Sequence, residues 1–159
     1  RHYMNTYQYV PLWVLMNVLT IGQLSKIYAS QKGRIQIRVC QDFGPLKINE
    51  MGKMLTVMTK FRNVCAHNDR LFDFHTKDAV LDRSIYERLQ IPKEKGRYKY
   101  GKNDLYAQVI ILKLLLSEGD FRLFYHDLKA CFKKHLIHKE ILEKMGFPEN
   151  WKKITRYRK

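Results

Sequence analysis

Apolar residues recur every three or four positions through Met51, Met54, Leu55, Met58, Phe61 and Cys65. That period is one stripe of an α-helix. The pattern predicts a helix from about Lys47 to His67, with an extension to Arg70. At about 100° per residue, Asn63, His67 and Arg70 fall nearly opposite the stripe, in line at i, i+4 and i+7. Arg62 lies on the flank between the two faces. The helix is thus predicted to bury Met, Leu, Phe and Cys and to present Asn, His and Arg outward.

The other elements follow from the same rule. Residues 1–10, with Tyr3, Tyr7 and Tyr9, read as a lead-in segment leaning on the core. A first helix is predicted from Pro11, a residue favoured in the first turn, to a stop at Gln31-Lys32-Gly33. Leu12, Leu15, Leu19 and Tyr28 give it an apolar face, and Gly22 permits close helix packing. Residues 34–43 alternate like a strand at Ile35, Ile37 and Val39, but their helical surroundings favour a short helix. Gly44-Pro45 reads as a turn. Residues 72–103 read as irregular, with one short helix near Ser84–Gln90.

Asn103-Asp104 can cap a helix running to about Ser117. Leu105, Val109, Leu112 and Leu116 form its stripe. Ile110, Ile111, Leu114 and Leu115 make it apolar nearly all round, as a central core helix should be. Phe121, Phe124, Leu128 and Phe132 mark the next helix, and Lys139–Met145 a short one. Gly146-Phe147-Pro148 stops that helix, Trp151 anchors the end, and a basic tail of residues 152–159 follows. The fold class is all-α: a helical bundle of four to five principal helices with an irregular basic insertion at about 72–103. A chain of 159 residues suits one domain, residues 1–159.

Charge changes the picture next. Thirty Lys and Arg against fifteen Asp and Glu give a formal net charge of +15. Such an excess bears on partners rather than fold. Polyanions lead, RNA first, with a membrane surface or an acidic protein as alternatives. Within the insertion, Lys95, Arg97, Lys99 and Lys102 alternate with Tyr98 and Tyr100. That pattern suits a strand-tracking loop, cations on phosphates and rings on bases; a plain charged loop reads equally well. No apolar run approaches the roughly 20 residues of a membrane span.

Cys40, Cys65 and Cys131 are widely spaced and form no C-x-x-C. This argues against a disulfide scaffold or zinc ribbon and for a reducing cytoplasm. Cys65 lies on the apolar stripe, which makes it a core thiol rather than a nucleophile beside His67. His135 and His138, with Glu140 and His126 near in sequence, complete no convincing metal set. There is no Gly-rich phosphate loop and no paired-carboxylate signature. The sequence calls for no metal and no cofactor.

Candidate chemistry gathers at the outward face of the 47–67 helix. His67 can take or give a proton near neutral pH. Arg62 offers a planar fork for phosphate oxygens, and Asn63 can orient either neighbour. Arg70 is a substrate or support residue. Together they suit phosphodiester cleavage, with Arg62 stabilising the transition-state charge. One His cannot easily be base and acid at once; a second copy in a symmetric dimer supplies the partner.

Arg62-Asn63 and His67, followed by Asn68-Asp69-Arg70-Leu71-Phe72, resemble the R-N-x-x-x-H motif of HEPN ribonucleases, specifically the Abi-like (AbiD/AbiF) abortive-infection family. Pro11-Leu12-Trp13-Val14-Leu15 with Leu19 to Ser25 resembles that family's first conserved block, and residues 145–151 its C-terminal end. The resemblance therefore extends over nearly the whole chain. One departure is Asp73-Phe74, where relatives often have Asn after the R-L-[WF] step.

The resemblance implies a bacterial, metal-independent endoribonuclease that attacks through the 2′-hydroxyl and leaves a 2′,3′-cyclic phosphate. Arg62, Asn63 and His67 would be catalytic. It implies a homodimer through the motif helix, a role in phage defence, and a toxin restrained by an antitoxin or a regulatory small RNA. It also implies a further helical segment before the Pro11 block, so that the chain is either the larger C-terminal part of a longer protein or a short member of the family. Two other readings remain: a non-catalytic RNA-binding HEPN module or RNA-regulated toxin component, and a protein-interaction partner acting through the dimer face.

Overall fold

The computed structural model describes residues 2–157. Of the basic tail, Arg158 and Lys159 lie outside the described residues. The chain is mostly helical. In order run α1 (His2–Tyr7), α2 (Leu12–Val18), α3 (Ile21–Ser30), α4 (Gly33–Asp42), α5 (Ile48–Ala66) and α6 (Ser84–Arg88). A two-stranded antiparallel hairpin follows, β1 (Lys93–Glu94) and β2 (Arg97–Tyr98). Then come α7 (Leu105–Leu115), α8 (Glu118–Lys134), α9 (Lys139–Lys144) and a 3-10 helix (Trp151–Arg156). Among the described residues α3, α4, α5, α7 and α8 are the principal helices, each of ten residues or more.

α5 and α7 form the centre. α7 buries Tyr106, Ala107, Val109, Ile110, Ile111 and Leu114, most of its circumference, as its near-continuous apolar run predicts. α5 packs on one part of it and α8 on another, and α3 and α4 pack on α5. Tyr28 of α3 ties these layers: its hydroxyl donates to the Ile48 carbonyl at 3.2 Å and lies 3.2 Å from Cys40 Sγ. At the C-terminal end, Phe132, Phe147 and Trp151 pack ring against ring. Trp151 anchors this end, as expected.

Four expectations need correction. The helix predicted from Pro11 to Gln31 is two helices. Thr20 accepts from the Gln23 N–H at 3.3 Å while the Gln23 side chain accepts from the Thr20 N–H at 2.8 Å. This reciprocal capping box starts a new helix at Ile21. Second, residues 2–10 do not lean on the core: α1 and α2 bury no residue. Tyr3 instead packs edge-on against Trp13 at 6.2 Å, and Leu12, Trp13 and Val18 are 64–72% exposed.

Third, Cys65 is exposed. The buried line of α5 runs through Met51, Met54, Val57, Phe61 and Val64. Val57 and Val64 satisfy the three-and-four spacing as well as Met58 and Cys65 do, and the core took the former. Fourth, part of the insertion is regular. Lys95 and Gly96 both have positive φ, 50° and 78°, which is the backbone of a type I′ hairpin turn.

The insertion is held down by polar contacts. Arg83 Nη1 donates to Glu50 Oε1 at 2.7 Å, and both side chains are nearly buried. Asp104 caps α7, accepting from the Ala107 N–H at 2.9 Å and the Gly101 N–H at 2.8 Å. Gly146 covers it so closely that a Cβ there would meet Asp104 Cγ at 2.1 Å.

Burial raises the Asp104 pKa to about 6, although its two N–H donors and His75 pull the other way. A carboxyl whose folded pKa lies above its unfolded value favours folding when protonated. Its contribution is full below about pH 4 and is lost as pH rises through about 6. Asp104→Asn should therefore be least damaging, relative to wild type, at pH 7 and more damaging at pH 5. Urea midpoints of both proteins at the two pH values check this; a constant difference contradicts it.

Candidate active site

α5 ends in a way that fixes where the motif stands. His67 is its C-cap, and Asn68 follows in the left-handed region at φ 58°. The Asn68 N–H donates to the Cys65 carbonyl at 3.3 Å and the Asp69 N–H to the Val64 carbonyl at 3.0 Å. This pair of bonds is a Schellman termination, with Asn in the position usually held by Gly. The helix therefore stops before Arg70. The expected alignment of Asn63, His67 and Arg70 along one helix face does not form.

Arg62, Asn63 and His67 share the last turns of α5, and all three are exposed. Arg62 Nη1 donates to Asn63 Oδ1 at 3.4 Å, a long contact. The His67 N–H donates to the Asn63 carbonyl at 2.9 Å. The His67 ring makes no hydrogen bond among the described residues, so it is open to an incoming group.

Arg62 and Asn63 line a cleft of about 400 Å³ between α3 and α5. Thr20, Gly22, Gln23, Lys26, Thr59 and Lys60 help to form its walls. Three of its lining side chains are cationic and none is acidic. The start of α3 opens into it, where the N–H groups of Ile21 and Gly22 have no intrahelical acceptor. Gly22 allows the approach: a Cβ there would lie 3.2 Å from Thr59 Cγ2. Free N–H donors, a helix N-terminus and three cations together favour a phosphate. His67 is not among the lining residues; it stands beyond the rim, one turn further along α5.

Arg70 has left this face. Its Nε and Nη2 grip Asp73 Oδ1 and Oδ2 at 2.9 and 2.5 Å, and its guanidinium lies 5.3 Å from the Phe72 ring centroid. Asp73, at the departure from the family pattern, thus has a clear structural partner. Arg70 lines a separate groove with His75, Lys99 and Tyr100.

The insertion residues divide. Lys95 and Arg97 are exposed on the hairpin and unpaired among the described residues. Tyr98 is buried and stacked on Tyr86, with centroids 4.8 Å apart. The Tyr100 hydroxyl donates to Glu143 at 2.6 Å, which holds that carboxylate below its usual pKa. Lys99 approaches Glu143 at 3.8 Å, and Lys102 pairs with Asp82. The two free cations of this group sit at the hairpin tip, while the rest are engaged within the fold.

Lys26, Lys60 and the start of α3 were not singled out from the sequence. Two local signals pointed there: the Thr20-x-x-Gln23 cap, which marks a helix start, and Gly22, which marks a close approach. The cleft itself arises only when α3 packs on α5.

Residues 1–73 match the family model of Abi-like proteins. The match includes Arg62, Asn63, His67 and Arg70 and stops short of the C-terminal block at 145–151. No curated protein and no solved structure matches the chain. That similarity suggests a role in abortive infection, a form of phage defence. Among the described residues no helix is long and apolar enough to cross a membrane.

Proposed function

We propose that the protein is a HEPN-type endoribonuclease acting in abortive infection, with Arg62, Asn63 and His67 as its catalytic set. The observation that carries this reading is the placement of Arg62 and Asn63 in a cleft whose charged lining residues are all cationic, one turn from an unengaged His67. A scissile phosphate seated against Arg62 and the start of α3 would place its neighbouring ribose toward His67. His67 would take the 2′-hydroxyl proton. The freed oxygen would attack phosphorus, and the 5′-oxygen would leave. Arg62 would hold the charge that builds on the non-bridging oxygens.

The leaving oxygen needs a proton from a second acid. A symmetric partner would bring a second His67, with one imidazole acting as base and the other as acid. Exposed Leu12, Trp13 and Val18 on α2, beside the Thr20 wall of the cleft, supply apolar surface for such a partner. The partners fitting this scheme are RNA, a second copy of the chain, and an antitoxin or small RNA that restrains it in the bacterial cytoplasm.

The test is a structured RNA carrying one 2′-deoxy substitution at a mapped cut. The mechanism requires that this site alone become resistant, and that every natural cut end in a 2′,3′-cyclic phosphate. Cutting at the deoxy site, or 3′-hydroxyl ends, would overturn 2′-hydroxyl attack.

A further inference from the structure

A second cleft, of about 540 Å³, opens on the other element that packs against α7, bounded by α8, α9 and the 3-10 helix. Its rim carries Lys129, Lys133, Lys152 and His126, and its apolar floor includes Phe132 and Trp151. No carboxylate is among its lining residues; Asp127, 3.9 Å from His126, lies outside it. Lys129 and Lys133 are four residues apart on α8, stacked on one face. Like charges at that spacing destabilise a helix unless something neutralises them. None of the three lysines is ion-paired among the described residues. The Lys152 and Lys129 ammonium groups instead lie 6.0 and 5.8 Å from the Trp151 and Tyr125 ring centroids.

We infer that this cleft is a second RNA-binding site, taking a single-stranded segment away from the cleavage motif. The chemistry is that of strand binding without sequence readout: cations tracking phosphates beside aromatic surface for a base. A base enters over the half-buried Phe132, which packs on the buried Trp151, and flanking phosphates meet the three lysines. The site anchors a long substrate while the Arg62 cleft holds the scissile bond. That RNA is the polyanion rests on the ribonuclease reading above; the charge and aromatic floor do not.

The chain has two tryptophans, so Trp13→Phe, at an exposed position, leaves Trp151 as a single reporter. The probe is a 2′-O-methyl single strand of about twelve nucleotides, within the usual range of strand-binding sites and immune to 2′-hydroxyl attack. It should quench Trp151. Lys129→Glu/Lys133→Glu/Lys152→Glu should weaken its binding about tenfold more than the charge-matched Lys32→Glu/Arg34→Glu/Lys77→Glu, and should flatten the log–log salt dependence by about two units.

Equal losses in the two triple variants, or no quenching, overturn the site. Saturation by adenosine monophosphate at the same affinity assigns the cleft to a free nucleotide instead. Competition by polyglutamate as effective as by RNA assigns it to an acidic protein. Because the probe cannot be cut, binding and cleavage fail separately. Quenching with no nuclease activity sinks the ribonuclease reading alone, and cleavage with a silent Trp151 sinks this site alone.

Discussion

Arg62→Ala is expected to slow RNA cleavage by about a hundredfold to a thousandfold, the usual cost of removing one donor to transition-state charge. The guanidinium sits on the cleft wall, exposed, with only the 3.4 Å contact to Asn63. Its removal should leave the fold intact, so the loss belongs to chemistry rather than stability. Substrate affinity should fall much less. The chain carries thirty basic residues, and one phosphate contact among several contributes little of the total. Single-turnover rates at saturating RNA, beside binding of an uncleavable analogue, separate the two quantities. Equal losses in rate and affinity would make Arg62 a binding residue only.

Glu50→Ala should be the most damaging change to stability, at about 3–5 kcal/mol, as is usual when one member of a buried ion pair is removed. Glu50 does two jobs. Its Oε1 receives Arg83, and its Oε2 receives the Lys47 N–H at 2.7 Å, closing the first turn of α5. The two side chains are 10% and 13% exposed, so solvent does little to offset the loss. Arg83 Nε is already buried without a partner, and the variant leaves the guanidinium only the 3.3 Å bond from Nη2 to the Pro45 carbonyl. Urea unfolding of Glu50→Ala, Arg83→Met and the double variant Glu50→Met/Arg83→Met checks this. The double variant should be less damaging than Glu50→Ala, because no buried charge is left alone. A loss under about 1 kcal/mol would mean the pair behaves as a surface contact.

The same pair shows what the sequence could not convey. Glu50 and Arg83 are thirty-three positions apart, and no local pattern links them. The helices were legible because burial of one face imposes a period. α5, α7 and α8 stand within a few residues of their predicted spans. Where two apolar registers fitted equally, as with Val57/Val64 against Met58/Cys65, only the packing partner decides. The ends of the motif helix and of the first helix were written in the sequence, at Asn68 and at Thr20-x-x-Gln23. Both are cap signals, set by a few backbone bonds rather than by periodicity. Placing Arg62, Asn63 and His67 on one helix end was legible. Their relation to Lys26, Lys60 and the start of α3 was not, since it depends on how α3 crosses α5. Tyr98 looked like a stacking platform by composition. The structure buries it against Tyr86, because the hairpin alternates its faces.

The measurement that bears most directly on the account is cleavage of one labelled structured RNA in EDTA by wild type, Arg62→Ala and His67→Ala. Wild type should cut and leave 2′,3′-cyclic phosphate ends, while both variants bind the RNA and leave it whole. Cleavage by either variant at the wild-type rate would contradict the placement of the chemistry at this motif.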